Sequence, residues 1–233
     1  MTPQQLAAML DHTLLKPAVT CPQIDRLCAE ALDYGFCAVC VNPLHVSQAA
    51  SRLAGSPVVV ASVAGFPLGA DPTALKIEDA RQAMDAGARE IDMMLQLGAL
   101  IAGEKNRVRD DIAAIAEIVH AASPDHVLKV ILETAALSPE RIALGCRCCA
   151  EAQVDFIKTS TGFHPAGGAT EQAVRSLKKL ATPIKIKASG GIDDLKTALG
   201  MVEAGADRLG MSASVDVIRA YEALSSGRSI EPG

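Results

Sequence analysis

Ala86-Gly87-Ala88-Arg89-Glu90-Ile91-Asp92-Met93-Met94-Leu95-Gln96-Leu97 joins the end of an Ala-rich helical stretch to a run of β-formers. Gly87 among small residues fits a helix end turning directly into a strand. The same turn chemistry returns at Ala204-Gly205-Ala206, ahead of Asp207–Met211. Working outward, strand-like runs occur at 36–41, 58–64, 90–97, 127–134, 155–161, 184–189 and 207–211. Helical stretches lie between them, for example at 71–86, 103–122, 138–152, 169–180 and 193–204, with another over 214–224. Asp71-Pro72, Ser138-Pro139 and Asp193 read as helix starts, and Gly87 and Gly205 as helix ends. Alternating strand and helix implies a parallel sheet covered by helices.

These runs give seven strands. His12–Leu15, following a helix-like Pro3–Leu10, supplies an eighth. An open doubly wound sheet would carry a glycine-rich G-x-G-x-x-G turn after its first strand, and neither early strand has one. The expected fold is therefore α/β, a single (β/α)8 TIM barrel with a short N-terminal helix, forming one domain over residues 1–233.

Composition suits that fold. Of 233 residues, 49% are hydrophobic and only 3% aromatic, with no Trp, so the core must be built from Ala, Val, Leu and Ile. The formal net charge is −5 and no Lys/Arg run forms a basic face, which argues against nucleic acid as a partner. No apolar stretch approaches the ~20 residues of a membrane span, and Met1–Leu10 has no basic start or cleavage site. The expected location is the cytoplasm. Cys28, Cys37 and Cys40 sit in apolar segments as small hydrophobes. Cys146, Cys148 and Cys149 match no common zinc spacing and no His pair follows, so no metal is expected.

Strands buried on both faces should be nearly continuous apolar runs, and four of these are not. Side-chain alternation puts Asp92, Met94 and Gln96 on one face, Lys129, Ile131 and Glu133 on one face, Phe156, Lys158 and Ser160 on one face, and Lys185 with Lys187. Any single charge could mark a strand end or a structural pair. Four strands breaking the rule together point to an active site, because barrel catalysis is built from the C-terminal ends of several strands. Parity does not say which face is inward. Lys158 and Lys187 are the informative pair, since burial or a neighbouring ammonium disfavours a charged lysine. A lysine so tuned attacks a carbonyl to form an iminium, an electron sink for cleaving the adjacent C–C bond. Asp92 would supply a carboxylate for proton transfer. Ser189-Gly190-Gly191 and Gly210-Met211-Ser212 end the last two strands and lead into helices, where barrels often hold phosphate. Thr161-Gly162 offers a third edge. Ordinary turn glycines would leave the same trace.

The chain resembles the deoxyribose-phosphate aldolase family in ordered blocks over almost its full length. These are Asp11–Pro17 (Asp-His-Thr-Leu-Leu-Lys-Pro), Gly65-Phe66-Pro67-Leu68-Gly69, Glu90–Met93, Lys129–Thr134, Phe156–Phe163 and Lys187–Ile192. The resemblance implies a class I, metal-independent lyase that needs no cofactor. It would cleave 2-deoxy-D-ribose 5-phosphate reversibly to D-glyceraldehyde 3-phosphate and acetaldehyde in deoxyribonucleoside catabolism. It makes Lys158 the Schiff-base lysine, Lys187 the neighbour that perturbs it, and Asp92 a partner in proton transfer. It puts Gly190, Gly191 and Ser212 at the substrate phosphate and implies a homodimer or larger assembly. Gln96 stands where the family has Asn, and Gly210-Met211-Ser212-Ala213 has one hydroxyl fewer than the family's phosphate segment. The first departure would shift polar contacts in the barrel, and the second would touch phosphate affinity. Asp11, His12 and Thr13 either line the pocket or make capping bonds. His164 reads as peripheral, and Cys40 as packing that would be open to aldehyde only if exposed. Two alternatives remain at this stage: a Schiff-base aldolase for another short sugar phosphate, and a non-catalytic phosphate-binding barrel.

Overall fold

The structure, a computed structural model, describes residues 1–226; residues 227–233, the end of the expected single domain, lie outside the described residues. Eight parallel strands close into a barrel in sequence order: β1 (Leu10–Leu14), β2 (Ala38–Val41), β3 (Val59–Ala64), β4 (Glu90–Met94), β5 (Val127–Ile131), β6 (Phe156–Lys158), β7 (Lys185–Ser189) and β8 (Arg208–Met211). Closure is made by β1 pairing with β8, in the register Asp11 with Gly210. Around them run α1 (Pro3–Ala7), α2 (Cys21–Tyr34), α3 (Val46–Arg52), α4 (Thr73–Asp85), α5 (Leu97–Ala102), α6 (Lys105–Ala122), α7 (Pro139–Glu151), α8 (Glu171–Ala181), α9 (Leu195–Glu203) and α10 (Ser214–Ser225). The expected (β/α)8 fold is the one observed.

The ends of several strands differ from the sequence expectation. The run expected over 90–97 stops at Met94, and Gln96 becomes the N-cap of α5. The helix expected from 103 to 122 is α6 (Lys105–Ala122), and a short helix the sequence did not suggest, α5, precedes it and ends at Gly103 in the left-handed conformation (φ 83°). The run over 127–134 stops at Ile131, because Glu133 turns left-handed (φ 61°) into a 3₁₀ turn at Thr134–Ala136. β6 ends at Lys158 rather than Thr161, and β1 begins two residues before His12. At β4, β5 and β6, residues with strand composition continue past the last ladder position into the loops at the C-terminal rim.

The apolar core lies between the barrel and the helices. Val39, Val41, Ile91, Met93, Val130, Ile157, Ile186 and Leu209 point outward from the strands. They meet Ile24, Leu27, Ile112, Ile115, Val174 and Leu177 of the helices. Burying a side chain of this type contributes roughly 1.5–3 kcal/mol. The barrel interior has a different character. Towards β2 and β3 it is apolar, with Cys40, Ala61 and Val63 packed beside Leu15 and Phe66. The remaining wall carries Asp11, Glu90, Asp92, Lys129, Lys158 and Lys187, all buried.

Candidate active site

Inward direction follows from contacts across the barrel. Asp92 on β4 and Lys187 on β7 lie on opposite walls and meet at 2.7 Å, which only inward-pointing side chains can do. Alternation then turns Asp11, Lys129, Lys158 and Arg208 inward as well, and their ion pairs agree. Lys158 and Lys187 are direct partners in the β6–β7 register. Gly210 is the inward residue of β8 beside them. A Cβ there would come within 2.9 Å of Lys187 Cε, so glycine leaves room for that side chain.

Asp92 is the hub. Its Oδ2 accepts from Lys158 Nζ at 2.8 Å and from Lys187 Nζ at 2.7 Å, while Oδ1 accepts from Lys129 Nζ at 2.8 Å. Lys187 also donates to Asp11, and Arg208 holds the other Asp11 oxygen at 2.6 Å. Burial alone would push the Asp92 carboxyl up. Lys129, Lys158 and Lys187 together hold it well below the usual carboxylate range. Burial likewise works against a charged Lys187, but Asp11 and Asp92 outweigh it and hold its ammonium above the ordinary lysine value. Lys187 is thus a fixed positive neighbour of Lys158.

Above this cluster lies a cavity of about 300 Å³ at the C-terminal ends of the strands. Lys158, Thr161, Gly162, Gly190, Gly191 and Ser212 all border it. Asp92 and Lys187, with no exposed surface, sit beneath. All eight residues singled out from sequence therefore converge on one place.

The cavity walls are set by backbone packing. Gly190 (φ 86°) and Gly191 (φ 72°) are left-handed, and a Cβ on Gly190 would lie 3.1 Å from Gly162 Cα and 3.2 Å from Gly168 Cα. Only glycine lets the β6–α8 and β7–α9 loops approach this closely. Thr161 is fixed by Glu133, whose carboxylate accepts from both its N–H and its hydroxyl. That hydroxyl is therefore engaged with protein. The β6 and β7 ends are also tied by Ser189 Oγ donating to the Ser160 carbonyl at 2.6 Å. Asp194 caps α9, whereas the first turn of α10 receives no side-chain cap from Ala213. The α10 N–H groups are left open near Ser212.

Several other expectations are refined. Gln96 lies outside the barrel, donating to Asp111 and accepting from Arg107, so it does not reorganise polar contacts inside the barrel. The Met211 side chain is buried in the apolar layer between strands and helices. Thr13 borders the cavity and Asp11 lies in the cluster. His12 faces outward to Glu30 and packs on Phe36. His164 accepts from Ala166 N–H in its own turn. Cys40 is wholly buried inside the barrel, where burial pushes its thiol up to about 11. Cys146, Cys148 and Cys149 are buried free thiols of α7. The sequence reading gave Glu90, Lys129, Glu133 and Arg208 no role in the site. Lys129 and Glu133 had already drawn notice as charges in buried strands, and Glu90 shares the parity of Asp92.

Residues 6–230 match the family model described as DeoC/LacD family aldolase. A deoxyribose-phosphate aldolase of Rhodospirillum rubrum is 46% identical, over 96% of this chain and 92% of its own. One from Brevibacillus brevis is 45% identical, over 94% and 97%. Among solved structures, a putative deoxyribose-phosphate aldolase from Coccidioides immitis superposes with a TM-score of 0.89 at 40% identity, covering 95% of this chain and 87% of that one. A tetrameric deoxyribose phosphate aldolase from Aeropyrum pernix gives 0.89 at 32% identity, covering 96% and 93%. The chain belongs to the DeoC/LacD family of aldolases.

Proposed function

We propose that this protein cleaves 2-deoxy-D-ribose 5-phosphate reversibly to D-glyceraldehyde 3-phosphate and acetaldehyde, through a Schiff base on Lys158. The observation that carries the reading is the position of Lys158. Lys158 borders the cavity while its amine is bonded to Asp92, and that same carboxylate oxygen is shared with the charged Lys187. Attack on an aldehyde requires a lysine amine within reach of the substrate, and Lys158 is the lysine of the ionic cluster that borders the cavity.

The neutral Lys158 nitrogen adds to the substrate aldehyde, and loss of water gives the iminium. A base takes the proton of the C3 hydroxyl. The C2–C3 electron pair moves into C1–C2 as the C=N⁺ pair returns to nitrogen, releasing glyceraldehyde 3-phosphate and leaving an enamine. Protonation at C2 and hydrolysis then free acetaldehyde and Lys158. Asp92 and Lys187 serve as the proton-transfer pair, since they share a hydrogen bond directly under the reacting nitrogen. Gly190, Gly191, Gly162 and Ser212 hold the phosphate, with Thr161 shaping the wall. The uncapped α10 N-terminus supports that reading, because free N–H groups and the helix dipole favour an anion.

The chain acts as one domain, in the cytoplasm, as a homodimer or larger assembly; the tetrameric relative supports the last point. No helix among the described residues is long and apolar enough to cross a membrane. The test is a comparison of cleavage rates for 2-deoxy-D-ribose 5-phosphate, unphosphorylated deoxyribose and other short sugar phosphates. Deoxyribose 5-phosphate is expected to give the highest kcat/KM. A far faster rate with another phosphate would contradict the substrate assignment, and no cleavage of any would favour a binding barrel.

A further inference from the structure

Lys158 is one edge of a closed ionic group in the barrel interior. Its members are the carboxylates of Asp11, Glu90 and Asp92, and the cations of Lys129, Lys158, Lys187 and Arg208. Arg208 and Glu90 open β8 and β4, so they lie at the N-terminal floor, whereas Lys158 ends β6 at the cavity. Contact is continuous between the two ends. Arg208 pairs with Asp11 at 2.6 Å and reaches Glu90 at 3.4 Å, and Glu90 pairs with Lys129 at 2.5 Å. Asp11 and Lys129 then join Lys187 and Asp92, and Asp92 holds Lys158.

Four cations face three carboxylates in the barrel interior, where all but the partly exposed Arg208 are buried. One positive charge is in excess, and the group becomes neutral when a single amine gives up its proton. Lys187 and Arg208 are each held between two carboxylates and Lys129 among three. Lys158 touches only Asp92, already shared by two other ammoniums, and of the seven it alone borders the cavity.

We propose that Arg208 and Glu90 are positioning residues for the reaction, acting on the proton balance of Lys158 through the ion chain rather than by touching substrate. This inference rests on Lys158 being the nucleophile. The other groups facing Lys158 do not supply the same control. Cys40 from β2 is an uncharged thiol and Phe66 from the β3–α4 loop presents its ring at 5.8 Å. Ser189 and Thr161 are neutral and bonded to protein. Glu133 is engaged by Thr161, and Lys16 and Asp193, of opposite charge, line the same cavity. Near the floor, Cys37 beside Arg208 is a thiol raised by burial, and Lys185 lies over the Phe156 ring, as Arg208 itself does.

The test is the pH dependence of kcat/KM for cleavage, whose acid limb reports the free enzyme's essential groups. Glu90→Gln removes a negative charge and is expected to move the acid limb to lower pH. Arg208→Gln removes a positive charge and should move it to higher pH, each by on the order of one pH unit. The double variant should return toward the wild-type position, and Arg208→Lys should keep it. A merely structural role would lower kcat without moving the limb, and would make the double variant worse than either single one; that result overturns the inference. Should Arg208→Gln fail to fold by circular dichroism, the isosteric Glu90→Gln decides alone, and an unmoved limb is sufficient to reject. Borohydride trapping with acetaldehyde on each variant separates the two levels. Label away from Lys158 removes the underlying reading, whereas label on Lys158 with an unmoved limb removes only the role of Arg208 and Glu90.

Discussion

At the scale of single residues, Asp92 has the most to explain. Three ammoniums converge on one carboxylate with no exposed surface, an arrangement whose desolvation cost is acceptable only because every charge is partnered. Asp92→Asn keeps the shape and removes the charge. It should lower turnover by roughly 10²–10⁴-fold, the usual worth of positioned acid–base groups. Removing one partner of a buried ionic group costs about 3–5 kcal/mol, below or near the low end of a domain's typical ~5–15 kcal/mol, so the fold should persist. Steady-state assay with far-ultraviolet circular dichroism checks both points, and near-normal activity in a folded variant would remove Asp92 from the mechanism. Sequence alone found Asp92, Lys158 and Lys187 because charges in buried strands violate an otherwise apolar pattern. It missed Arg208 because a charge at the first position of a strand looks like an ordinary end, and its partners Asp11 and Glu90 are remote in sequence.

At the scale of elements, the rim loops carry the specificity of shape. The β6–α8 and β7–α9 loops touch backbone to backbone through Gly162, Gly168 and Gly190, whereas Gly191 has open space where a Cβ would stand. Gly190→Ala therefore meets both a left-handed backbone and a crowded contact, while Gly191→Ala meets only the first. The left-handed penalty is about 1–2 kcal/mol, or roughly 2–8 °C in Tm for a domain of this size. Gly190→Ala should exceed Gly191→Ala in both Tm loss and rise of KM for the phosphorylated substrate. Equal effects, read by thermal melting and steady-state kinetics, would mean that the close approach is not required. Strand ends were the least legible feature of the sequence. Runs such as Glu90–Leu97 and Val127–Thr134 keep strand composition beyond the ladder, and only the left-handed turn at Glu133 or the capping role of Gln96 stops them. Helix α2 carried further readable signals: Gln23 Oε1 accepts from the Thr20 N–H, half of a capping box, and Gly35 is a left-handed C-cap.

At the scale of the whole molecule, closure of the barrel brings residues 11, 92, 158 and 187 together, and it ties stability to the same charges. Alternation of strand and helix was enough to read the barrel, but which face of each strand looks inward depends on partners across the fold. The pH dependence follows from the shifts. Burial would raise Asp11 and Asp92, but their cations hold them below normal. Their contribution is complete above the ordinary Asp value of ~3.9 and is lost as pH falls through the folded values. Lys129 and Lys187 are held above normal against burial, so their contribution is complete below ~10.4 and is lost as pH rises through the folded values. His12 is lowered by burial against the pull of Glu30, so its unfolded form takes up a proton first and stability begins to fall below about pH 6.5. Burial holds the Cys28, Cys40, Cys146 and Cys149 thiols above normal, so their unfolded forms ionise first and stability also falls above about pH 8.5. Urea midpoints should be level from about pH 7 to 8, decline gently below ~6.5 and steeply below ~4; a stability maximum near pH 4 would contradict these assignments. The central claim concerns one nitrogen among several buried cations. Incubation with acetaldehyde and borohydride, followed by peptide mass mapping, tests it most directly. A reduced ethyl group is expected on the peptide carrying Lys158, and none in Lys158→Ala. Labelling of Lys187 in the native protein, or no labelling under conditions where the enzyme turns over, would contradict it.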